Sequence, residues 1–429
     1  MLFENAWLNG DRVDMRVSGG RITALRVVAP AGPRAPDPPL VPRHGEEVVR
    51  DGMICPHFAE PHVHLDATQL GLRKPNVSGT LREGIRNWAE LRDGLTWPDV
   101  RHRALKTIRW YVSLGTTRIR THVDTACLPA VEALIALRAE LADGLPGVMA
   151  RPVDGGREFK IPVELQVVAF PQEGILRAPG QRDRLNQVAA LGVNAIGAIP
   201  HFERTTDEGW RSVRLAFDLA EKHGVGIDIH CDETDDPDSR NLEVVAAESI
   251  DRGMGGKVVA GHCTALHSYP NAYAAKIVEL TAKAGLLVVA NPLDNVVLQG
   301  RYDGYPRRRG ITRVDELWAA GARVAIGHDS VMDPWYRLGT ANMIDPAYML
   351  LHVAQLTSER EMNRVFHTLH RENHQPFGEV PPIMEGAWAT FQWFPADDPI
   401  ECLRLRPRAR VLYRGGEVHV PVDSADSVR

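Results

Sequence analysis

Two histidines one residue apart, His62 and His64, close a short apolar run, and the two-residue repeat of a strand turns both imidazoles to one side. Two nitrogen donors on one side suit a single metal ion. Three later apolar runs end in the same kind of residue, one in His230 and Glu233, one in His262 and one in His328-Asp329. His62, His64, His230 and Asp329 form a ligand set of three imidazoles and a carboxylate. That set suits one divalent ion, Zn2+ or Fe2+, with a position left for water. A lone His-x-His is a common chance pattern, and a lone histidine is more often a hydrogen-bonded core or loop residue. Their order along successive runs is what points to a metal. His102, His223, His352 and His370 fall in helical patterns and are expected at the surface or in packing. Cys231 and Cys263 each follow a site histidine, so strand alternation turns them outward as inert thiols.

The elements that must position these residues repeat along the chain. Apolar runs at 54–64, 117–124, 165–170, 195–200, 227–233, 258–263, 286–292 and 324–330 end in polar residues, with amphipathic helical stretches such as 213–223 and 272–284 between them. Eight strand–helix units predict a (β/α)8 TIM barrel, whose active site lies at the C-terminal ends of the strands. The two ends of the chain read differently. Short alternating strands with turns at Asn9-Gly10, Gly19-Gly20 and Gly415-Gly416 predict a small β-sandwich domain built from both termini. The expected division is 1–56 plus 385–429 for that domain and 57–384 for the barrel.

Composition narrows the partners. The 429 residues are 44% hydrophobic and 24% charged, an ordinary folded composition, and the formal net charge is −5 with the two signs mixed along the chain. Nucleic acid and anionic membrane are therefore not expected partners. Five cysteines at wide spacing, with no Cys-x-x-Cys, indicate neither a disulfide framework nor a thiolate zinc site. No stretch reaches the roughly 18 apolar residues of a membrane span, and the N-terminus lacks the pattern of a signal peptide. A cytoplasmic protein acting on a small molecule is expected.

Longer stretches resemble the bacterial cytosine deaminase family of the amidohydrolase superfamily. They include Glu60-Pro-His-Val-His-Leu-Asp66, Val167-Val-Ala-Phe-Pro-Gln-Glu-Gly174, Asp228-Ile-His-Cys-Asp-Glu233, Ala290-Asn-Pro-Leu293, Leu298-Gln-Gly-Arg301 and Gly327-His-Asp-Ser-Val-Met-Asp-Pro-Trp335 with Leu338-Gly-Thr-Ala-Asn-Met343. The resemblance runs through nearly the whole chain. It implies His62, His64, His230 and Asp329 as metal ligands, with Asp329 also placed to take a proton from water. It implies Glu233 as proton shuttle, His262 as the group orienting the attacking hydroxide, Gln172 as reader of the ring's amide edge, and Leu81 and Trp335 as pocket walls. Relatives with two metals carry a lysine at the end of strand four; the run at 195–200 has none, so a single metal is expected. A homo-oligomer is the family expectation.

The chain departs from that pattern in two places. Ser330 stands where cytosine deaminases carry a second Asp after the ligand Asp. The smaller, uncharged side chain leaves room at C5 of the ring, favouring 5-methylcytosine, while cytosine itself stays open as substrate. An apparent insertion at 144–160 enters on the N-terminal side of strand three, away from the chemistry, and is expected to be a surface loop or subunit contact. Arg73 and Lys74, after strand one, are expected to be solubilising charge, with part of a lid as the alternative. The expected function is hydrolytic deamination of a cytosine-like free base. Another cyclic amidine (isocytosine, isoguanine or a triazine) is the alternative substrate, and a non-catalytic barrel scaffold is the alternative class.

Overall fold

The computed structural model describes residues 1–145 and 161–419. Eight parallel strands follow one another around the barrel in chain order: β1 (Phe58–Val63), β2 (Thr116–Asp124), β3 (Glu164–Phe170), β4 (Ala195–Ala198), β5 (Gly226–Cys231), β6 (Val258–His262), β7 (Leu287–Ala290) and β8 (Arg323–Ile326). Helices such as Thr206–His223 and Asn271–Lys283 connect them on the outside. Residues 146–160, most of the expected insertion, lie outside the described residues. Its flanks, Leu145 and Ile161, face each other as an antiparallel bridge just ahead of β3. No helix among the described residues is long and apolar enough to cross a membrane.

Strand alternation sorts the side chains into two layers. Val258, Ala260, Val288 and Val324 pack outward into the main core against the helices, whereas Val259, Leu287, Val289 and Ala325 form a separate apolar cluster inside the barrel. On β2, Ile119 and Val123 pack outward with the main core, and Arg120 and His122 point in. The buried guanidinium of Arg120 donates to Asp228 on β5 at 2.9 Å and to Gln166 on β3 at 3.0 Å. This paired charge forms a polar floor beneath the site, as a buried ion must be paired to be tolerated.

The first apolar run does not form one strand. Met53–Cys55 belongs to the small sheet, antiparallel to Phe391–Phe394, and only Phe58–Val63 enters the barrel. Pro56 separates them, because it has no amide hydrogen to continue a ladder. The last run also ends early as a strand. His328, Asp329 and Ser330 lie beyond β8, and Asp329 adopts a left-handed φ of 67°. The barrel closes between β1 and β8 through a single bridge, Val63 to Asp329.

The small domain is one continuous mixed sheet. Its strands include Leu2–Leu8, Asp11–Ser18 and Arg21–Ala29 from the N-terminal part, and Phe391–Phe394, Val411–Arg414 and Glu417–His419 from the C-terminal part. Asn9-Gly10 and Gly19-Gly20 form the two-residue hairpin turns, all four with positive φ, the backbone such turns require. Phe3 packs edge-on against Phe391, ring centroids 5.4 Å apart, and joins the two ends of the chain. His370 is buried in packing against Phe366 as expected, in a turn just beyond the helix Glu359–Thr368.

Candidate metal centre

At the C-terminal mouth of the barrel, the side chains of His62, His64, His230 and Asp329 converge, all buried, with one donor atom from each within 4.8 Å of the others. His62 comes from β1, His64 from the residue after it, His230 from β5 and Asp329 from the loop after β8. The Nε2 atoms of His64 and His230 face each other at 3.0 Å. Asp329 Oδ1 lies 3.5 Å from His62 Nε2 and 3.6 Å from His64 Nε2.

This donor set fits a divalent cation. Both ring nitrogens of His62 and Nδ1 of His230 are fully buried with no hydrogen-bond partner among the described residues. Buried polar atoms are rarely left so, and a ligand is the usual account of the exception. Burial, and then mutual repulsion among the imidazoles, holds His62, His64 and His230 well below the ordinary histidine range. They are thus neutral, with lone pairs available, as metal binding requires. His62, His122 and Asp228 also cluster. There, however, Asp228 is already engaged, accepting from Arg120 at 2.9 Å and lying 3.2 Å from His122 Nε2. β4 reads Ala-Ile-Gly-Ala and offers no lysine to bridge a second ion.

Glu60 holds this arrangement from below. Its carboxylate accepts from the backbone N–H of His62 at 2.9 Å, from the backbone N–H of His328 at 3.2 Å and from the Tyr111 hydroxyl at 2.8 Å. It therefore ties β1 to the end of β8, and burial pushes its carboxyl up to about 8. His328 itself is no ligand. Its Nε2 accepts from the backbone N–H groups of Thr340 and Ala341, both at 3.2 Å, and so shapes the loop over the site.

The other two predicted chemical groups, Glu233 and His262, meet here. Glu233 lies two residues beyond β5, and its Oε1 is 3.8 Å from His262 Nδ1. His262 Nε2 in turn lies 3.8 Å from Asp329 Oδ2. Asn295 donates to His262 Nδ1 at 3.0 Å, which leaves the ring hydrogen on Nε2, toward Asp329. Burial, and next the charge of Asp294, raises Glu233 to about 8. Burial and then Glu233 raise Asp329 well above the usual carboxylate range. Glu233, a carboxylic acid that keeps its proton at neutral pH, can deliver it.

These groups face a cavity that Gln172, Leu81, Ser330 and Trp335 also line, so all four predicted substrate contacts come together. Gln172 follows β3, and the next residue, Glu173, is clamped by Arg92 at 2.8 Å. Leu81 opens the helix Leu81–Arg92, whose N-cap Thr80 accepts from Glu83 N–H. Trp335 packs against His64 with ring centroids 5.7 Å apart. Three participants lay outside the expected set: Asp294, which lines the cavity, His122, which packs 4.2 Å from His62, and Glu60. Asp294 stands just past the end of an apolar run, the signal that marks the others, whereas His122 lies inside the run 117–124. Cys231 and Cys263 are buried in the outer core as expected. Arg73 and Lys74 form ion pairs with Asp99 and Glu90.

Fold and site together define a barrel with a buried group of three histidines and an aspartate suited to a divalent metal, and residues 50–391 match the amidohydrolase family. The chain belongs to that family, whose members hydrolyse C–N bonds. It is similar to the 5-methylcytosine deaminase from Klebsiella pneumoniae solved with 5-fluorocytosine, at 35% identity over 97% of each chain and a TM-score of 0.84. It is 31% identical to the pterin deaminase of Rhizobium rhizogenes over 71% of this chain and 67% of the relative. The N-isopropylammelide isopropylaminohydrolase from Burkholderia multivorans shares the fold, with a TM-score of 0.76 at 23% identity over 98% of each chain.

Proposed function

We propose that this amidohydrolase deaminates a cytosine-like free base, with 5-methylcytosine preferred, through one divalent ion held by His62, His64, His230 and Asp329. The observation that carries the proposal is one cavity lined by three of these ligands, His64, His230 and Asp329, by the acid Glu233 and by Gln172. When bound there, the ion activates water toward hydroxide at neutral pH. Glu233 gives its proton to the ring nitrogen beside the amino-bearing carbon, which makes that carbon more electrophilic. Asp329, with His262 Nε2 beside it, accepts the proton that water gives up. A C–O bond forms and the carbon becomes tetrahedral. The proton held at Asp329 then passes to the amine, the C–N bond breaks, and the new hydroxyl returns a proton to Glu233. The products are the keto base and ammonia. Gln172 offers an acceptor and a donor on one amide, matching a C=O and N–H side by side. Ser330, small and uncharged, leaves space for a 5-methyl group, in keeping with the likeness to the Klebsiella enzyme.

A second substrate, an isocytosine-type amidine such as a pterin, is favoured by the likeness to the pterin deaminase. Past Leu81, Ile85 and Leu298 the cavity meets a wider cleft edged by Phe202 and Tyr302, space for a second ring. Ammonia release from cytosine, 5-methylcytosine, isocytosine and pterin by metal-loaded protein separates the readings. The expected result is kcat/KM about tenfold higher for 5-methylcytosine than for cytosine, the scale of one methyl group in a pocket. A preference for cytosine refutes the role given to Ser330, and release from pterin alone supports the second substrate. Inactivity on all four overturns the proposal.

A further inference from the structure

Ile85 lines both the cavity at the candidate metal centre and a neighbouring cleft of about 780 Å3 on the side of Phe202. Three exposed arginines line that cleft, Arg82 and Arg86 from the helix Leu81–Arg92 and Arg177 from the loop after β3. The two carboxylates of the cleft wall are engaged elsewhere. Glu173 accepts from Arg92 at 2.8 Å, and Glu203 accepts from the backbone N–H groups of Ile175 at 2.6 Å, Leu176 at 3.1 Å and Arg177 at 2.7 Å. Arg86 reaches only Glu83, at 3.7 Å, and Arg82 has no hydrogen bond or ion pair among the described residues. Both are poor places for a cation. They stand four residues apart on one helix, where like charges repel, and Arg82 lies in the first turn, at the positive end of the helix dipole.

Arg177 is held in place with one edge free. Its guanidinium lies 4.1 Å from the centre of the Phe202 ring, and Nη1 donates to the Phe202 carbonyl at 3.1 Å. Nε and Nη2 have no partner among the described residues. The backbone beneath is fixed as well, since three successive N–H groups, ending in that of Arg177, converge on Glu203. Gly174 permits this approach: its φ is +88°, and a Cβ there would lie 2.8 Å from the Glu203 carboxylate. A positioned guanidinium with its Nε–Nη2 edge open is the geometry that takes a carboxylate on two parallel hydrogen bonds.

We propose that this cleft is a subsite for a carboxylate carried on a substituent of the substrate, so that the enzyme takes acid-bearing amidines in preference to neutral ones of the same size. The ring to be deaminated occupies the cavity, and its substituent passes Ile85. The carboxylate meets the free edge of Arg177, with Arg82 and Arg86 adding positive charge around it. The subsite rests on the deaminase reading and extends its larger substrate, the pterin.

Pterin-6-carboxylate and its neutral counterpart, pterin-6-carboxamide, test it. Kd by calorimetry and kcat/KM are measured on metal-loaded wild type, Arg177→Met and Arg82→Met. Methionine keeps an apolar stem and removes the charge. Both variants are expected to keep the wild-type metal content and Tm, because both side chains are exposed. Wild type binds the carboxylate about tenfold more tightly than the carboxamide, the scale of one hydrogen bond to a charged group. That ratio falls close to one in Arg177→Met and about threefold in Arg82→Met, with kcat/KM following. A ratio near one in wild type overturns the subsite, as does failure of wild type to bind the carboxylate. Equal weakening of both ligands in the variants also overturns it, since that marks packing. Any of these results in a protein that releases ammonia from 5-methylcytosine or pterin fails this inference alone. If metal-loaded wild type deaminates none of the bases, the deaminase reading fails and takes the inference with it.

Discussion

His64 Nε2, just past β1, and His230 Nε2, from β5, face each other at 3.0 Å across the barrel mouth. Two neutral imidazoles aimed at one point, beside a buried carboxylate, are an arrangement for sharing a cation. Elemental analysis is expected to find one divalent ion per chain, and His230→Ala or Asp329→Asn to lose it. Stripping the ion with a chelator lowers Tm, because a ligand at about a thousand times its Kd stabilises the native state by about 4 kcal/mol. A chelated protein with unchanged Tm and unchanged activity contradicts the site.

On the proposed mechanism, Glu233 is expected to set the alkaline limb of activity. Burial raises its carboxyl to about 8, so at neutral pH most of it is protonated and able to donate. As pH rises through about 8 the proton is lost, and kcat/KM falls with it. Glu233→Gln is expected to retain the metal, to lose roughly 10²- to 10⁴-fold in kcat, and to flatten this limb. A pH profile of the variant with the wild-type limb intact assigns that limb to another group.

Ser330→Asp places a further acid beside Asp294 and Asp333, where the substrate's 5-substituent is proposed to sit. The ratio of kcat/KM for 5-methylcytosine over cytosine is expected to drop about tenfold. A ratio that does not move shows that position 330 does not read C5.

Away from the site, Arg16 and Glu46 form a two-pronged ion pair at 2.7 and 3.0 Å, with side chains only 7% and 8% exposed. Arg16 holds Glu46 down at about 2. A depressed carboxyl contributes stability that is present above its unfolded value, about 4.3, and lost as pH falls through about 2. Glu46→Gln leaves a buried guanidinium unmatched and is expected to cost about 3 kcal/mol at pH 7. In urea denaturation, the gap between wild type and variant closes as pH drops from about 5 toward 2. A gap independent of pH points to lost packing instead.

Much of the site was legible because barrel chemistry sits where strands end, and the ends of the apolar runs carry polar residues in order. His62, His64, His230, Glu233, His262 and Asp329 all stand there and all converge. Asp294 was harder to see because the run before it ends in Asn-Pro, and the acid falls two residues later in a short helix. His122 was masked by β2, where Arg118, Arg120 and His122 alternate as on a solvated face although the strand is wholly buried. Glu60 looked like part of the strand, and only its reach to His328, 268 positions away, shows what it does. The split of run 54–64 follows from Pro56, a local cause that an apolar count does not register.

The closure between β1 and β8 also bears on how the chain matures. Three of the four candidate ligands, His62, His64 and Asp329, lie on either side of that seam, while Glu60 and His328 join it from positions 268 apart. During synthesis the first histidines emerge long before the aspartate that completes their set. The candidate ligand set is thus complete only once the ring of strands has closed, and a chain stalled before position 329 lacks its carboxylate.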